Sequence, residues 1–183
     1  MTQRLLTAEF LREIIAYDPI TGIFTWLTRT PDSFIAGKQS AQHRCAIWNN
    51  RYAGKTAGCI DTYGYIKIAI NNGRYLAHRL AWIYMTGEQP PKFIDHRNTI
   101  ESDNRWTNLR AATFTENKRN CGIRKNNTSG FKGVTFDKSK RKWAASITVD
   151  RKCHFLGQFT APELAYAAYC EASKLCHGEF GRT

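Results

Sequence analysis

The alternation of apolar and polar residues switches repeatedly between a helical and an extended period, and the switches mark out the elements. Thr7 followed by AEFLREII places Phe10, Leu11, Ile14 and Ile15 on one side of a short helix, capped by Thr7 and closed by Asp18-Pro19. YDPITGIFTW then sets a Thr21-Gly22 turn ahead of an apolar, strand-like stretch. Residues 28 to 58 are polar, basic and glycine-containing without a clear period, which predicts irregular chain. From Tyr63 the alternation sharpens: GYIKIAI, the turn Asn71-Asn72-Gly73 and RYLAH predict a hairpin. HRLAWIYMTG reads as a short apolar helix stopped by Gly87, with Pro90-Pro91 breaking the chain after it.

Farther on, KFIDH predicts a strand, RNTIESDNRWT a polar loop and NLRAAT a second strand. Thr113 with Glu116 three residues later is a capping box that opens a helix. RNCGIRKNNTSG has the composition of a linker. FKGVTF, KWAASITV and CHFLGQF predict three strands, followed by a helix that Thr160 and Glu163 cap and Gly178 ends. Leu164, Ala168, Ala172 and Leu175 fall at helical spacing and are expected to face the sheet. The expected organisation is α+β: an N-terminal helix and irregular region over 1–60, a hairpin, helix and two-strand-plus-helix module over 61–122, a basic linker over 123–130, and a sheet-plus-helix unit over 131–183.

Composition narrows what such modules can do. With 183 residues, 42% of them hydrophobic and 13% aromatic, the chain has ordinary globular composition and room for two or three small cores. A surplus of 27 Lys and Arg over 15 Asp and Glu gives a net charge of +12, as expected for a partner of a polyanion. Eleven basic residues against three acidic ones lie between Phe114 and His154, so the positive charge gathers in the linker and the last sheet. Nucleic acid leads as the partner, ahead of an acidic membrane. No apolar run reaches membrane-spanning length, and the amphipathic N-terminus fits no secretion signal, which predicts a cytoplasmic protein. The six cysteines form no C-x-x-C pair and read as reduced thiols.

Candidate chemistry concentrates in the middle module. Asp95 and His96 end one strand, Asn108 opens the next, and Asn117 lies in the first turn of the helix behind it. A hairpin folding onto that helix would converge them. Phosphodiester hydrolysis needs a hard cation beside the phosphate and a base for water. The Asp95 carboxylate and Asn117 carboxamide are oxygen donors suited to magnesium or manganese, and His96 can accept a proton near neutral pH.

The same run, HRLAW, IDH, DNRWTNL and AATFTEN, resembles the HNH homing-type endonucleases common in phage genomes. The resemblance implies a ββα-metal fold that hydrolyses double-stranded DNA with one divalent ion held by Asp95 and Asn117. It makes His96 the general base, with Asn108, twelve residues beyond it, bracing the loop through backbone hydrogen bonds. It further implies that the metal stabilises the departing 3′ oxygen, leaving a 5′-phosphate, and that the chain is phage or prophage encoded and acts in a bacterial host. Asn98 stands where relatives often carry Asp and is not counted as a ligand.

The last unit, over roughly 127–180, resembles the DNA-binding domain of plant APETALA and ethylene-response factors in SGFKGVTFDKSKRKWAASITV, FLGQF and the Ala-rich helix. That implies a three-stranded antiparallel sheet packed on one helix, laid in the major groove. Matching outward positions are Lys132, Thr135, Ser146, Thr148 and Phe155, with Arg141 and Trp143 nearby. Arg119, Arg124 and Lys125 join them as linker-side phosphate contacts, and Arg79 could bind phosphate or an internal carboxylate equally well.

Each feature has a plainer reading. A charge run is more often a solvated face than a binding site, although clustering and interleaved aromatics favour binding here. Asn108 could serve only its local turn, and His78 could touch phosphate or be a structural histidine. Trp82, Trp106 and Trp143 read as core anchors rather than base-stacking platforms. The functional alternatives to a nuclease are an inactive DNA-binding regulator and an accessory to a partner nuclease. One centre per chain is compatible with a monomer or a homodimer.

Overall fold

The computed structural model describes residues 6–35, 37–123 and 126–182. They form two compact units that divide between Ala111 and Ala112. Small antiparallel sheets and short helices alternate through both.

In the first unit, Thr7 accepts from the Phe10 amide at 3.3 Å and opens α1 (Ala8–Ile14), which runs directly into β1 (Ile15–Tyr17). β1 pairs antiparallel with β2 (Phe24–Trp26), and the Tyr17 and Phe24 rings stack with centroids 4.6 Å apart. The predicted irregular stretch over 28–58 contains instead a 12-residue helix, α2 (Ala41–Tyr52), capped by Ser40. Its inner face is Cys45, Trp48, Asn49 and Tyr52, only one of which is buried, so no apolar stripe announces it. Asn49 pins the preceding loop by accepting from the Arg29 amide and donating to the Arg29 carbonyl, both at 2.9 Å. The Arg29 guanidinium lies 3.9 Å from the Trp48 ring centroid.

β3 (Cys59–Ile60), β4 (Ile66–Ile70) and β5 (Gly73–Leu76) form a three-stranded sheet in the order β3-β4-β5. The β4–β5 turn carries Asn71 and Asn72 at φ 47° and 64°, the left-handed pair a two-residue hairpin needs. β5 ends at Leu76 because α3 (Ala77–Thr86) begins there, and Gly87 closes α3 in the left-handed region. β6 (Phe93–His96) and β7 (Leu109–Ala112) then pair as a two-stranded sheet. One core runs from Leu6 to Leu109, so residues 6–60 share their hydrophobic interior with the segment that carries Asp95 and His96. Leu11, Ile15, Ile68, Ile70 and Leu80 are almost wholly buried, each contributing about 1.5–3 kcal/mol.

The second unit opens with α4 (Phe114–Arg119), where Thr113 and Glu116 complete the capping box. β8 (Val134–Asp137), β9 (Lys142–Val149) and β10 (Lys152–Phe159) make an antiparallel sheet in the order β10-β9-β8, backed by α5 (Pro162–His177). Two expectations about α5 are corrected. Its cap is Ala161, not Thr160, because Pro162 at the first helical position holds its predecessor extended. Its buried face is Ala165, Tyr169 and Ser173, while Leu164 and Leu175 are 54% and 86% exposed. Tyr169 selects this rotation: at Gly133, with φ +73°, an added Cβ would lie 2.1 Å from the Tyr169 ring.

Candidate active site and nucleic-acid interface

β6 carries its two candidate residues at its end. Ile94 joins the core, and Asp95 and His96 follow, only 4% and 5% exposed. A carboxylate so buried needs a partner. Arg110, the second residue of β7 and equally buried, donates from Nε to Asp95 Oδ2 at 2.8 Å, and its Nη2 lies 2.7 Å from the same oxygen as an ion pair. Arg110 was not singled out from the sequence, although a cation between Leu109 and Ala111 in an otherwise apolar strand is the signal of a buried ion pair.

His96 is enclosed on several sides. Its Nε2 lies 3.5 Å from Asn104 Oδ1, its ring meets the edge of His78 at a centroid distance of 5.0 Å, and Tyr65 lies 6.0 Å away. Burial pushes the His96 imidazole below its usual pKa, against the opposing pull of Asn104 and then of Asp95. The imidazole is therefore neutral at neutral pH and has a lone pair for a proton. His78 is buried more deeply and is pushed down to about 3 by that burial, with the positive fields of His96 and Arg79 adding to it. Arg79 turns to the loop before β6, donating to the carbonyls of Pro91 at 3.0 Å and Pro90 at 3.5 Å.

The loop between β6 and β7 is held by side chains. Asn108 Oδ1 accepts from the Asn98 amide at 3.0 Å, and its Nδ2 donates to Asn98 Oδ1 at 2.9 Å and to the Asp103 carbonyl at 2.8 Å. Asn98 in turn donates to Asp103 Oδ2 at 2.6 Å. Arg105 beside Asp103, with Asn98 as a lesser donor, holds that carboxyl down at about 2. An Asp at position 98 would lose this donor and set two carboxylates together. Asn104 is the loop residue the sequence did not distinguish, since one Asn in a run of polar residues carries no mark of burial.

Asn117 lies in α4 and belongs to the second unit, half-buried, its amide donating to the Thr113 carbonyl at 3.0 Å. Among the described residues no group of three or more His, Cys, Asp or Glu side chains gathers to hold a metal ion. The cysteines are free thiols, and no described helix is long and apolar enough to cross a membrane.

On the sheet of the second unit, register separates two faces. Val134 pairs with Ala145, and with Ala165 they make the helix-side core, which Trp143 joins beside Phe136 at 4.9 Å. The opposite face carries Thr135, Ser146, Thr148 and Phe155, with Ser146 directly across from Phe155. Phe155 is 66% exposed. Arg141 sits in the β8–β9 turn at φ 51° and is exposed. A cavity of about 590 Å³ beside the sheet is lined by Lys118, Arg119, Lys132, Ser146, Thr148 and Arg151, among others. Lys132 itself is half-buried and donates to the Arg119 carbonyl at 2.7 Å and the Cys121 carbonyl at 2.9 Å, closing the end of α4. Arg119 reaches Asp150 at 3.5 Å. Arg124 and Lys125 lie outside the described residues.

Comparison with known proteins adds two findings. The HNH endonuclease family model matches residues 75–119, the segment from β5 through α4. The chain is 31% identical to "Protein 3.8" of Escherichia phage T7 over 106 residues, 57% of this chain and 87% of that protein. No solved structure matches.

Proposed function

Since the chain belongs to the family of protein 3.8 of Escherichia phage T7 and carries an HNH endonuclease domain at residues 75–119, we propose that it is an endonuclease that hydrolyses DNA phosphodiester bonds in a phage-infected bacterial cell. The observation that carries this reading is the pair Asp95–His96: consecutive, buried and at the end of β6, with the imidazole kept neutral by burial. His96 is the general base that takes the proton from the attacking water. Asn108 keeps the β6–β7 loop closed around it through its three hydrogen bonds. Arg110 fixes the position of the Asp95 carboxylate.

HNH nucleases generally use a divalent metal. The chemistry of the donor set fits magnesium or manganese: Asp95 and Asn117 offer hard oxygens, and such ions take one or two protein oxygens and complete their shell with phosphate and water. When bound, the ion would offset charge on the phosphate and the leaving oxygen. Asn117 enters as a ligand on motif spacing, 22 residues after Asp95.

The second unit is proposed to hold duplex DNA against its outer sheet face, through Thr135, Ser146, Thr148 and Phe155, with Arg119 and Arg141 on phosphates. Its sheet-and-helix architecture and the surplus of positive charge between Phe114 and His154 support this role. The test is cleavage of supercoiled plasmid with magnesium by the full chain and by His96→Ala, Asp95→Ala and Asn117→Ala. Cleavage by the wild type that falls by about 10²–10⁴ in His96→Ala is expected. DNA binding without any cleavage, or a His96→Ala chain as active as the wild type, would replace this reading with that of a DNA-binding regulator.

A further inference from the structure

We propose that Asn104, held in place by the N-terminal β1–β2 hairpin through Tyr17, is a positioning residue that fixes the tautomer and orientation of His96. The inference rests on His96 being the base of the proposed nuclease. The observations, however, all lie in the folded first unit.

Asn104 is 1% exposed, which no loop carboxamide tolerates without partners on both its oxygen and its nitrogen. Its Nδ2 donates to the Ser102 carbonyl at 3.2 Å. This contact decides which way the amide faces, because a carbonyl accepts only from the NH₂ end. Oδ1 is therefore the atom turned to His96, 3.5 Å from Nε2. An amide oxygen can only accept, so the His96 proton sits on Nε2 and the basic lone pair on Nδ1. The contact is long for a hydrogen bond, as such contacts commonly are before substrate is bound.

Asn104 is itself anchored from a distant part of the chain. The Tyr17 hydroxyl donates to the Asn104 carbonyl oxygen at 2.7 Å across 87 residues of sequence, in a buried setting. Two residues on, the Trp106 amide donates to the Pro19 carbonyl at 3.0 Å. Between these contacts the β1–β2 turn presses on the Asn104–Arg105 peptide so closely that a Cβ at Gly22 would stand 2.4 Å from the Arg105 nitrogen and 2.5 Å from the Asn104 carbonyl carbon. Gly22 also has φ +73°, so a side chain is excluded there on two grounds. The hairpin over residues 15–26 thus lies outside the 75–119 segment the family model matches, yet it sets the residue that faces the base.

The test is nitrogen-15 NMR of the imidazoles in the full chain, at a pH where His96 is neutral, with its signal identified by loss in His96→Gln. The inference expects the Nε2–H form in the wild type, its retention in Asn104→Asp, which keeps the acceptor oxygen, and a mixture of tautomers in Asn104→Ala. Tyr17→Phe keeps the ring packing and removes one hydrogen bond; it should lower kcat by about fivefold with KM unchanged. An Nδ1–H form in the wild type, or an Asn104→Ala chain with the wild-type tautomer, overturns the inference whether or not the chain cuts DNA. If Asn104→Ala fails to fold, Asn104→Asp and Tyr17→Phe still decide: loss of the Nε2–H form in the first, or an unchanged kcat in the second, overturns it. A wild-type chain with the expected tautomer and no cleavage overturns only the endonuclease reading.

Discussion

Arg110 sets both Nε and Nη2 on a single oxygen of Asp95, at 2.8 and 2.7 Å, and the two side chains are 6% and 4% exposed. Neither charge is screened by solvent, so removing one leaves the other buried and uncompensated. Arg110→Ala is expected to cost about 3–5 kcal/mol of stability, measured by urea unfolding followed through tryptophan fluorescence. Arg110→Lys should recover only part of it, because a point ammonium cannot reproduce the directed Nε–H contact of a planar guanidinium. A loss below about 1 kcal/mol, as for an exposed pair, would contradict this account of the site.

His78 predicts how the fold responds to acid. Its imidazole titrates at about 3 when folded against 6.5 for an unperturbed histidine, so between those values the unfolded chain binds a proton that the folded chain refuses. The stability contributed by neutral His78 is complete above pH 6.5 and is lost as the pH falls toward 3. His96 is shifted in the same direction and adds to the slope. His78→Gln should therefore flatten the pH dependence of unfolding free energy by up to about 1.4 kcal/mol per pH unit in that window. Denaturation midpoints across a pH series would show it, and identical slopes would mean His78 is protonated in the folded state.

Elements with a strong local code are legible in the sequence; contacts made across the chain are not. The Thr113–Glu116 capping box, the Asn71-Asn72 turn and the Gly87 stop all describe the backbone within four residues, and the structure has each of them. α2 is hidden because its inner face mixes Cys45, Trp48, Asn49 and Tyr52, and its stability comes from what Asn49 and Trp48 touch elsewhere. The rotation of α5 is hidden for the same reason, since Gly133 makes room for Tyr169 from another element. At the candidate site the motif points to Asp95 and His96. Arg110 and Asn104, which hold them, become recognisable only when β7 and the loop are folded back on β6.

Gly133 gives a sharp stability test for the second unit. An alanine there meets both an unfavourable left-handed φ of +73° and a Cβ position 2.1 Å from the Tyr169 ring. Together these should cost about 2–5 kcal/mol. Amide hydrogen exchange is the measurement that localises the effect: β8, β9 and β10 amides should exchange faster in Gly133→Ala while β4 and β5 amides keep their rates. Uniform acceleration would mean that the two units do not unfold separately.

The outer face of the second sheet makes separable predictions for apolar and charged contacts with duplex DNA. Phe155 is 66% exposed, so Phe155→Ala should leave thermal stability nearly unchanged and weaken binding at every salt concentration. Arg141, exposed in the β8–β9 turn, should act through phosphate, so Arg141→Ala lowers the slope of log affinity against log salt by about one. Lys132 behaves differently because its ammonium already closes the end of α4 on the Arg119 and Cys121 carbonyls. Lys132→Met is expected to leave the salt slope in place and to lower stability by about 1 kcal/mol. Fluorescence anisotropy with a labelled duplex at several salt concentrations distinguishes the three. Wild-type affinity in Phe155→Ala together with a wild-type slope in Arg141→Ala would remove this face from the interface and leave the cavity beside α4, with Lys118, Arg119 and Arg151, to carry the phosphate contacts.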